Sequence, residues 1–124
     1  MAEIRLSFKD MCAKFDVTPR TLRYYEYIEL LSPEREGRAR FYGPTEIARM
    51  TLILRGRRWG FSLEELRQWL LVYENEGSEK QTELFIEYAE RQLIELRKKR
   101  VELDEVIGEL EGLKDSLKRD LSSA

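Results

Sequence analysis

The sequence predicts a mainly α-helical fold with one small β-hairpin and a long C-terminal helix. Three observations lead to this prediction: helix-start signals recur along the chain, one short stretch alternates like a strand, and apolar residues recur every seven positions near the C-terminus. The chain of 124 residues is long enough for one modest core. One compact N-terminal unit with a helical appendage is therefore expected.

The charge of the chain is distributed unevenly. Charged residues make up 37% and hydrophobic residues 42%, which is typical of a soluble, helix-rich protein. The net charge of −2 conceals a difference between the halves: residues 1–62 hold 12 Lys and Arg against 8 Asp and Glu, and residues 63–124 hold 10 against 16. The basic N-terminal half is the part expected to meet nucleic acid.

The composition argues against several functional classes. With no His and one cysteine, Cys12, the chain is not expected to bind a metal, and no cofactor is predicted. Cys12 lies on the apolar side of its predicted helix, where packing is its expected role. No signal segment or membrane-length apolar run is present, so a cytoplasmic protein without a membrane partner is expected. An enzyme is not expected, because a phosphate loop and an activated nucleophile are both missing.

Two short helices are predicted near the N-terminus. Ser7 and Asp10 are spaced as in a capping box ahead of an apolar helical pattern over residues 8–15. Thr18 supplies an N-cap oxygen for a second helix, and Pro19 occupies its first position. Such a pair is a helix-turn-helix candidate, whose second helix normally lies in the DNA major groove. The same pair also occurs for packing reasons alone, so that alternative stays open here.

A β-hairpin wing and a basic helix end follow. The segment Arg38–Tyr42 alternates like a strand after the turn-rich stretch Glu34–Gly37, which predicts the hairpin. A third helix is predicted after Pro44. It ends in a cluster of three cations: Arg55, Arg57 and Arg58.

The C-terminal part is predicted to be one long helix. Ser62 and Glu65 form a capping box for a fourth helix, and Gly77 separates it from the long helix that begins at Ser78. Apolar residues at heptad spacing form a stripe that we call the seam: Ala89, Leu96, Leu103, Val106, Leu110, Leu113 and Leu117. A helix of about forty residues is about 60 Å long, and its apolar stripe is longer than a small N-terminal unit can cover. Self-association is therefore favoured over folding back on the same chain.

The residues described so far resemble those of the MerR family of bacterial transcription regulators. The likeness begins with the run Thr18–Glu26 and continues through Leu30–Pro33, Arg40–Tyr42 and Gly60–Glu65 in the family's order. It implies a winged helix-turn-helix DNA-binding domain over residues 1–77, with a second basic wing between the third and fourth helices. It further implies that residues 78–124 form an antiparallel coiled-coil dimerisation helix with a short tail.

The resemblance also implies a mechanism. Such a homodimer binds a pseudo-palindrome in the spacer of double-stranded promoter DNA and distorts it, so that RNA polymerase engages promoter elements that are set too far apart. The residues expected to contact DNA are Thr18, Arg20, Arg23, Tyr24, Tyr25, Arg38, Arg40, Tyr42, Arg55, Arg57 and Arg58. Of the two adjacent tyrosines, Tyr25 is expected to touch DNA, and Tyr24 is left open between DNA contact and packing.

Other sequence features narrow the function further. The cluster Arg97–Arg100 is flanked by acids, so it is expected to pair within the coil and is left out of the DNA site. The runs Leu52–Gly56 and Gly60–Leu63 resemble a subset of the family associated with amino-acid or fatty-acyl breakdown, which implies metabolic target genes and an acyl-CoA-like effector.

The competing hypothesis is a coiled-coil adaptor that binds protein, for which replacing Arg20 and Arg23 would leave function intact.

Overall fold

The computed structural model describes residues 4–124, together with the side chains of all of these except residues 73–75. The described elements are β1 (Leu6–Ser7), α1 (Phe8–Phe15), α2 (Pro19–Tyr27), β2 (Glu34–Glu36), β3 (Ala39–Tyr42), α3 (Pro44–Arg58), α4 (Leu63–Glu76) and α5 (Ser78–Ser123). The mainly helical fold with a hairpin wing and a long last helix is confirmed. The chain divides into an N-terminal unit that ends at Leu84 and a C-terminal unit that begins at Phe85.

Side-chain caps set the starts of α1 and α4. The Ser7 hydroxyl accepts a hydrogen bond from the Asp10 N–H at 3.1 Å and caps α1. Ser62 and Glu65 form a full capping box at α4: the Ser62 hydroxyl accepts from the Glu65 N–H, and the Glu65 carboxylate accepts from the Ser62 N–H. Each cap satisfies backbone N–H groups that have no partner within the helix. The predicted starts of these helices are therefore confirmed.

The turn between α1 and α2 depends on one left-handed residue. Asp16 has a φ of 51° and donates its N–H to the Cys12 carbonyl, which ends α1. Aspartate tolerates this conformation better than most residues that carry a side chain. The chain can therefore turn between α1 and α2, and Thr18 then caps α2, which begins at Pro19.

The wing is a three-stranded antiparallel sheet in the order β1-β3-β2. The turn between β2 and β3 contains Gly37, whose φ of 62° favours glycine. In the central strand β3, Tyr42 lies opposite Leu6 of β1, and Arg40 lies opposite Arg35 of β2. The predicted hairpin is thus extended by β1, a two-residue strand that the sequence analysis did not predict.

The core lies in the N-terminal unit, where α1, α2, β3, α3 and α4 meet. Its buried side chains are Met11, Leu22, Tyr25, Leu30, Leu31, Tyr42, Met50, Ile53, Phe61, Leu66 and Leu70. Helices α3 and α4 approach closely at Gly56, where an added Cβ would lie 2.5 Å from Leu66 Cδ2. The absence of a side chain at this position allows α4 to pack on the end of α3.

The last helix belongs to both units. The Trp69 indole N–H donates to the Gln81 carbonyl at 2.9 Å, so the first turns of α5 are tied to α4 within the N-terminal unit. The predicted domain boundary after residue 77 falls at the α4–α5 junction. None of the α5 side chains, all of which the structure describes, is buried. Among residues 4–124, no helix is long and apolar enough to cross a membrane.

Candidate nucleic-acid interface

Helix α2 presents a basic face to solvent. The Thr18 hydroxyl accepts from the Thr21 N–H at 3.1 Å and donates to the Thr21 hydroxyl at 2.9 Å, which fixes the first turn. Arg20, Arg23 and Tyr24 are exposed on this helix. The predicted recognition-helix cations therefore lie where a ligand can reach them, and Thr18 acts in this structure as the helix cap.

The two adjacent tyrosines of α2 have different environments. Tyr25 is only 7% exposed and packs in the core with Leu22, three residues earlier on the same helical face. Burial raises the pKa of the Tyr25 hydroxyl. Tyr24 is 49% exposed. The DNA contact expected of Tyr25 stays a prediction, and Tyr24 is the more exposed tyrosine of the pair.

Tyr42 is also a core residue. Its side chain has no exposed surface, and the DNA contact expected of Tyr42 stays a prediction. The Tyr42 hydroxyl donates to Glu26 Oε1 at 2.5 Å and thereby joins β3 to α2. Burial, and secondarily this hydrogen bond, raise the pKa of Tyr42 well above its ordinary range. Tyr42 positions the wing against the recognition helix.

The Glu26 carboxylate also orients a wing arginine. Its side chain is 8% exposed, and its Oε2 lies 3.5 Å from Arg40 Nε. The Arg40 side chain remains 27% exposed, although its Nε is buried. Glu26 thus pairs with the inner side of the Arg40 guanidinium, and the outer nitrogens remain for a ligand.

Phe8 holds two cations of the site together. The guanidinium carbons of Arg23 and Arg40 each lie 5.5 Å from the centroid of the Phe8 ring. Arg23 comes from α2 and Arg40 from β3, so one aromatic side chain of α1 links the recognition helix to the wing. Cation–π attraction compensates part of the repulsion between the two positive charges.

These side chains border an open cleft of about 370 Å³. Its lining residues come from α1, α2 and the wing: Ser7, Phe8, Lys9, Arg23, Arg38, Ala39, Arg40 and Phe41. Four of them are cations, and none is an acid. We call this feature the basic cleft. It offers several charged donors at one place, as recognition of a phosphate backbone requires. Arg23, Arg38 and Arg40 were predicted from the sequence, whereas Lys9 and Phe8 were not.

The predicted second wing follows the end of α3. Arg57 Nη1 donates to the Phe61 carbonyl at 2.9 Å, so Arg57 stabilises the turn into α4. The Arg55 guanidinium lies 5.2 Å from the Trp59 ring centroid. Arg58 is exposed at the last position of α3. The three cations lie together at one helix end, and Arg57 has a structural contact in addition to any role with DNA.

The predicted seam lies entirely on α5. Six of its seven members, all except Ala89, are strongly exposed: Leu96 40%, Leu103 59%, Val106 56%, Leu110 66%, Leu113 58% and Leu117 53%. Ala89 is half-buried. Contiguous apolar surface of this extent is unusual in a monomer and commonly marks an interface.

The fold and the basic cleft together are those of a winged helix-turn-helix protein. The family model "MerR HTH family regulatory protein" matches residues 6–71, and the model "MerR, DNA binding" matches residues 47–113. Each model covers more than half of the chain. The chain therefore belongs to the MerR family of DNA-binding transcription regulators.

Individual relatives agree with this assignment. The chain is 38% identical over 95 residues to the HTH-type transcriptional regulator HmrR of Rhizobium leguminosarum bv. viciae, which is 76% of this chain and 72% of that protein. It is 39% identical over 59 residues to ZntR of Escherichia coli strain K12, which is 46% of this chain and 42% of the relative. These relatives are transcription regulators and not enzymes.

Solved structures share the fold. A MerR-family regulator from Bacillus cereus matches with a TM-score of 0.76 at 26% identity, over 93% of this chain and 84% of that one. HiNmlR, a MerR family regulator lacking the sensor domain and solved bound to promoter DNA, matches with a TM-score of 0.61 at 18% identity, over 84% and 79% of the two chains. The second likeness is evidence for the fold alone.

Proposed function

We propose that this regulator binds a pseudo-palindromic promoter spacer as a homodimer, distorts that DNA, and thereby controls transcription. The observation that carries the proposal is the basic cleft, where Phe8 holds Arg23 and Arg40 beside Lys9 and Arg38. A cleft with four cations joins the exposed face of α2 to the wing. Recognition helix and wing can therefore engage one stretch of duplex together.

The proposed contacts divide by chemistry. Arg20 and Arg23 lie on the exposed face of α2, where a guanidinium can bind guanine O6 and N7 or a phosphate. Arg38, Arg40 and Lys9 border the cleft at the wing and are assigned to the phosphate backbone. The tyrosine contact is assigned to Tyr24, because its side chain is the exposed one.

The second wing is assigned to a flanking phosphate. Arg55 and Arg58 supply the charge there, while Arg57 keeps its bond to the Phe61 carbonyl and holds the turn in place. Two separate basic surfaces on one DNA-binding domain can grip a duplex at separate points. Bending or untwisting a promoter spacer requires such contacts, since the free-energy cost of deforming the DNA must be offset by added protein–DNA contacts.

The homodimer is proposed from the exposed seam. Burying a leucine side chain contributes about 1.5–3 kcal/mol, so six large apolar side chains represent a substantial driving force for association. The proposed partner is α5 of a second copy, in an antiparallel coiled coil. Two DNA-binding domains joined by one coiled coil match the two half-sites of a pseudo-palindrome. RNA polymerase would be affected through the altered promoter.

The proposed target genes are metabolic. This part rests only on the resemblance of the runs Leu52–Gly56 and Gly60–Leu63 to regulators of amino-acid or fatty-acyl breakdown. An acyl-CoA-like effector would raise the thermal unfolding midpoint of the protein in a thermal shift series. A panel of acyl-CoAs that leaves the midpoint unchanged would remove this part and leave the DNA-binding proposal untouched.

The DNA-binding proposal is tested by fluorescence anisotropy with the promoter region of the protein's own gene. The series varies salt and includes random duplex as competitor. A dimer that makes about six phosphate contacts should give a log–log slope near −5. Arg20→Gln with Arg23→Gln should lower affinity by at least about a hundredfold, since two charged contacts are lost.

The matched control is Arg119→Gln, an exposed arginine of the C-terminal unit. It removes one positive charge far along the sequence from α2, so affinity should stay within about twofold. If the Arg20 and Arg23 double variant behaves like the control, the adaptor hypothesis replaces this one. A genome-wide DNA selection that finds no site would support the same conclusion.

A further inference from the structure

Two carboxylates lie on the wing that is proposed to approach DNA. Glu34 and Glu36 are two residues apart on β2, so their side chains share one face of the sheet. They are 65% and 59% exposed. The turn beside this strand carries Arg38 of the basic cleft. Carboxylates at this position would repel a phosphate backbone unless their charge is compensated.

Arg5 contacts both carboxylates and offsets one of their two charges. Its Nη1 lies 3.0 Å from Glu34 Oε2 and 2.8 Å from Glu36 Oε1. Its guanidinium carbon lies 4.3 Å from the centroid of the Phe41 ring, on the strand between β1 and β2. Arg5 therefore reaches from the chain just before β1 across β3 to the outer strand. The hydrogen bonds to Glu36 and Glu34 raise the pKa of Arg5, so the guanidinium keeps its charge.

We propose that Arg5 is a positioning residue of the DNA interface, which pairs with Glu34 and Glu36, offsets one of their two negative charges, and holds the wing in its DNA-binding form. This inference rests on the proposed function. The segment from Glu34 to Arg40 carries three arginines and two glutamates, so its net charge is +1, and Arg5 raises it to +2. Arg5 acts through the two carboxylates and does not itself contact phosphate.

Two observations support an indirect role. One nitrogen of Arg5 is shared by two carboxylates, and one face of its guanidinium is covered by Phe41. A side chain engaged in this way would have to give up these contacts to bind a phosphate. Exposed ion pairs contribute little to folding stability. Loss of Arg5 should therefore change DNA affinity far more than it changes thermal unfolding.

A double-mutant cycle tests the proposal by separating the indirect role from a direct contact. Promoter affinity is measured by anisotropy at one fixed salt concentration for wild type, Arg5→Gln, the pair Glu34→Gln and Glu36→Gln, and the triple variant. Arg5→Gln should weaken binding by about three- to tenfold in the wild-type background. With both carboxylates already removed, the same substitution should cost no more than about twofold.

The opposite outcome of the cycle overturns the inference. A penalty above about twofold in the background that lacks both carboxylates would mean that Arg5 contacts DNA itself. Weaker binding by the Glu34→Gln and Glu36→Gln pair alone would equally overturn it, since the carboxylates would then be helping. Arg5→Lys keeps the charge without the planar fork, so its affinity should lie between wild type and Arg5→Gln.

Two further readouts keep the result interpretable. The thermal midpoint of Arg5→Gln should stay within about 2 °C of wild type, which excludes a general loss of folding. Wild type and the Arg23→Gln variant are measured in the same anisotropy series, as references for normal and for weakened promoter binding. If the wild type shows no promoter preference, both the proposed function and this inference fail, whereas a failed cycle beside normal wild-type binding overturns the inference alone.

Discussion

The N-terminal and C-terminal units differ in how their apolar side chains are used. In the N-terminal unit, eleven of the apolar side chains that the structure describes are buried, and residues such as Met11 and Leu22 have no exposed surface. In the C-terminal unit, α5 buries none of its side chains and leaves a row of leucines exposed. A buried core can stabilise a unit alone, whereas an exposed stripe requires a partner.

The largest effect is expected from breaking the seam. Leu103→Asp with Leu110→Asp places two charges on the proposed dimer interface, so the dimer should dissociate. Promoter affinity should fall by at least about a hundredfold, because a single head grips only one half-site. Sedimentation velocity and anisotropy measure the two effects.

The matched control for the seam is Lys118→Asp, which changes charge on α5 outside the seam. It should leave the sedimentation coefficient unchanged. A dimer that persists in the Leu103 and Leu110 double variant would show that the exposed stripe has another role.

The next effect concerns the polar contact inside the N-terminal unit. Tyr42→Phe removes the hydroxyl that donates to Glu26 and leaves a nearly buried carboxylate with fewer partners. The free energy of unfolding should fall by about 1–3 kcal/mol. Urea denaturation measures the loss. Tyr24→Phe is the control, since Tyr24 is half exposed, and it should change stability little. Equal values for the two variants would contradict the role assigned to Tyr42.

Alkaline pH should weaken the same unit. Burial raises the pKa of Tyr42 and Tyr25 in the folded state above the value of about 10 of an unfolded chain. The neutral hydroxyls therefore contribute stability that is fully present below about pH 10 and is lost as the pH rises further. For each raised group the loss is about 1.4 kcal/mol per pH unit between that point and its folded-state pKa.

Urea denaturation between pH 9 and pH 11 measures this dependence. The Tyr42→Phe variant lacks one of the two raised hydroxyls, so its stability should decline less steeply with pH. An unchanged slope would show that Tyr42 ionises as readily in the folded protein as in the unfolded chain.

Two glycine substitutions of opposite sign give the smallest effects. An added Cβ at Gly56 meets buried Leu66, so the overpacking cost of Gly56→Ala should exceed the helix-propensity gain and lower stability by about 1 kcal/mol. At Gly108 nothing lies within 4 Å of the added Cβ. Gly108→Ala should therefore stabilise α5 by up to about 1 kcal/mol. Thermal denaturation of both variants is the measurement, and the same sign for both would contradict this account.

Local signals made most of the fold predictable. Ser7, Thr18 and Ser62 fix helix starts through contacts within three residues, so the sequence itself contains the interaction. The strand β1 depends on pairing with β3, more than thirty residues away, and has only two residues of its own. No local pattern distinguishes such a strand from a loop, which is why it was missed.

The candidate site was predictable to a smaller extent. The cations of α2 and the wing could be identified from their positions, but the burial of Tyr25 depends on which face of α2 turns inward. The burial of Tyr25 could have been inferred from Leu22, because a residue three positions later lies on the same face of the helix. The clustering of Phe8 with Arg23 and Arg40 brings together three elements, and only the folded chain reveals it.

The placement of the two tryptophans gives the protein an intrinsic fluorescence signal for DNA binding. Trp59 is 39% exposed in the proposed second wing, beside Arg55, whereas Trp69 is hydrogen-bonded to α5. Emission from Trp59 should respond when a duplex covers the wing, while Trp69 serves as an internal reference. Occupancy of the DNA site could then be followed by fluorescence in unlabelled protein. The Trp59→Phe variant, which lacks the responding tryptophan, is the control.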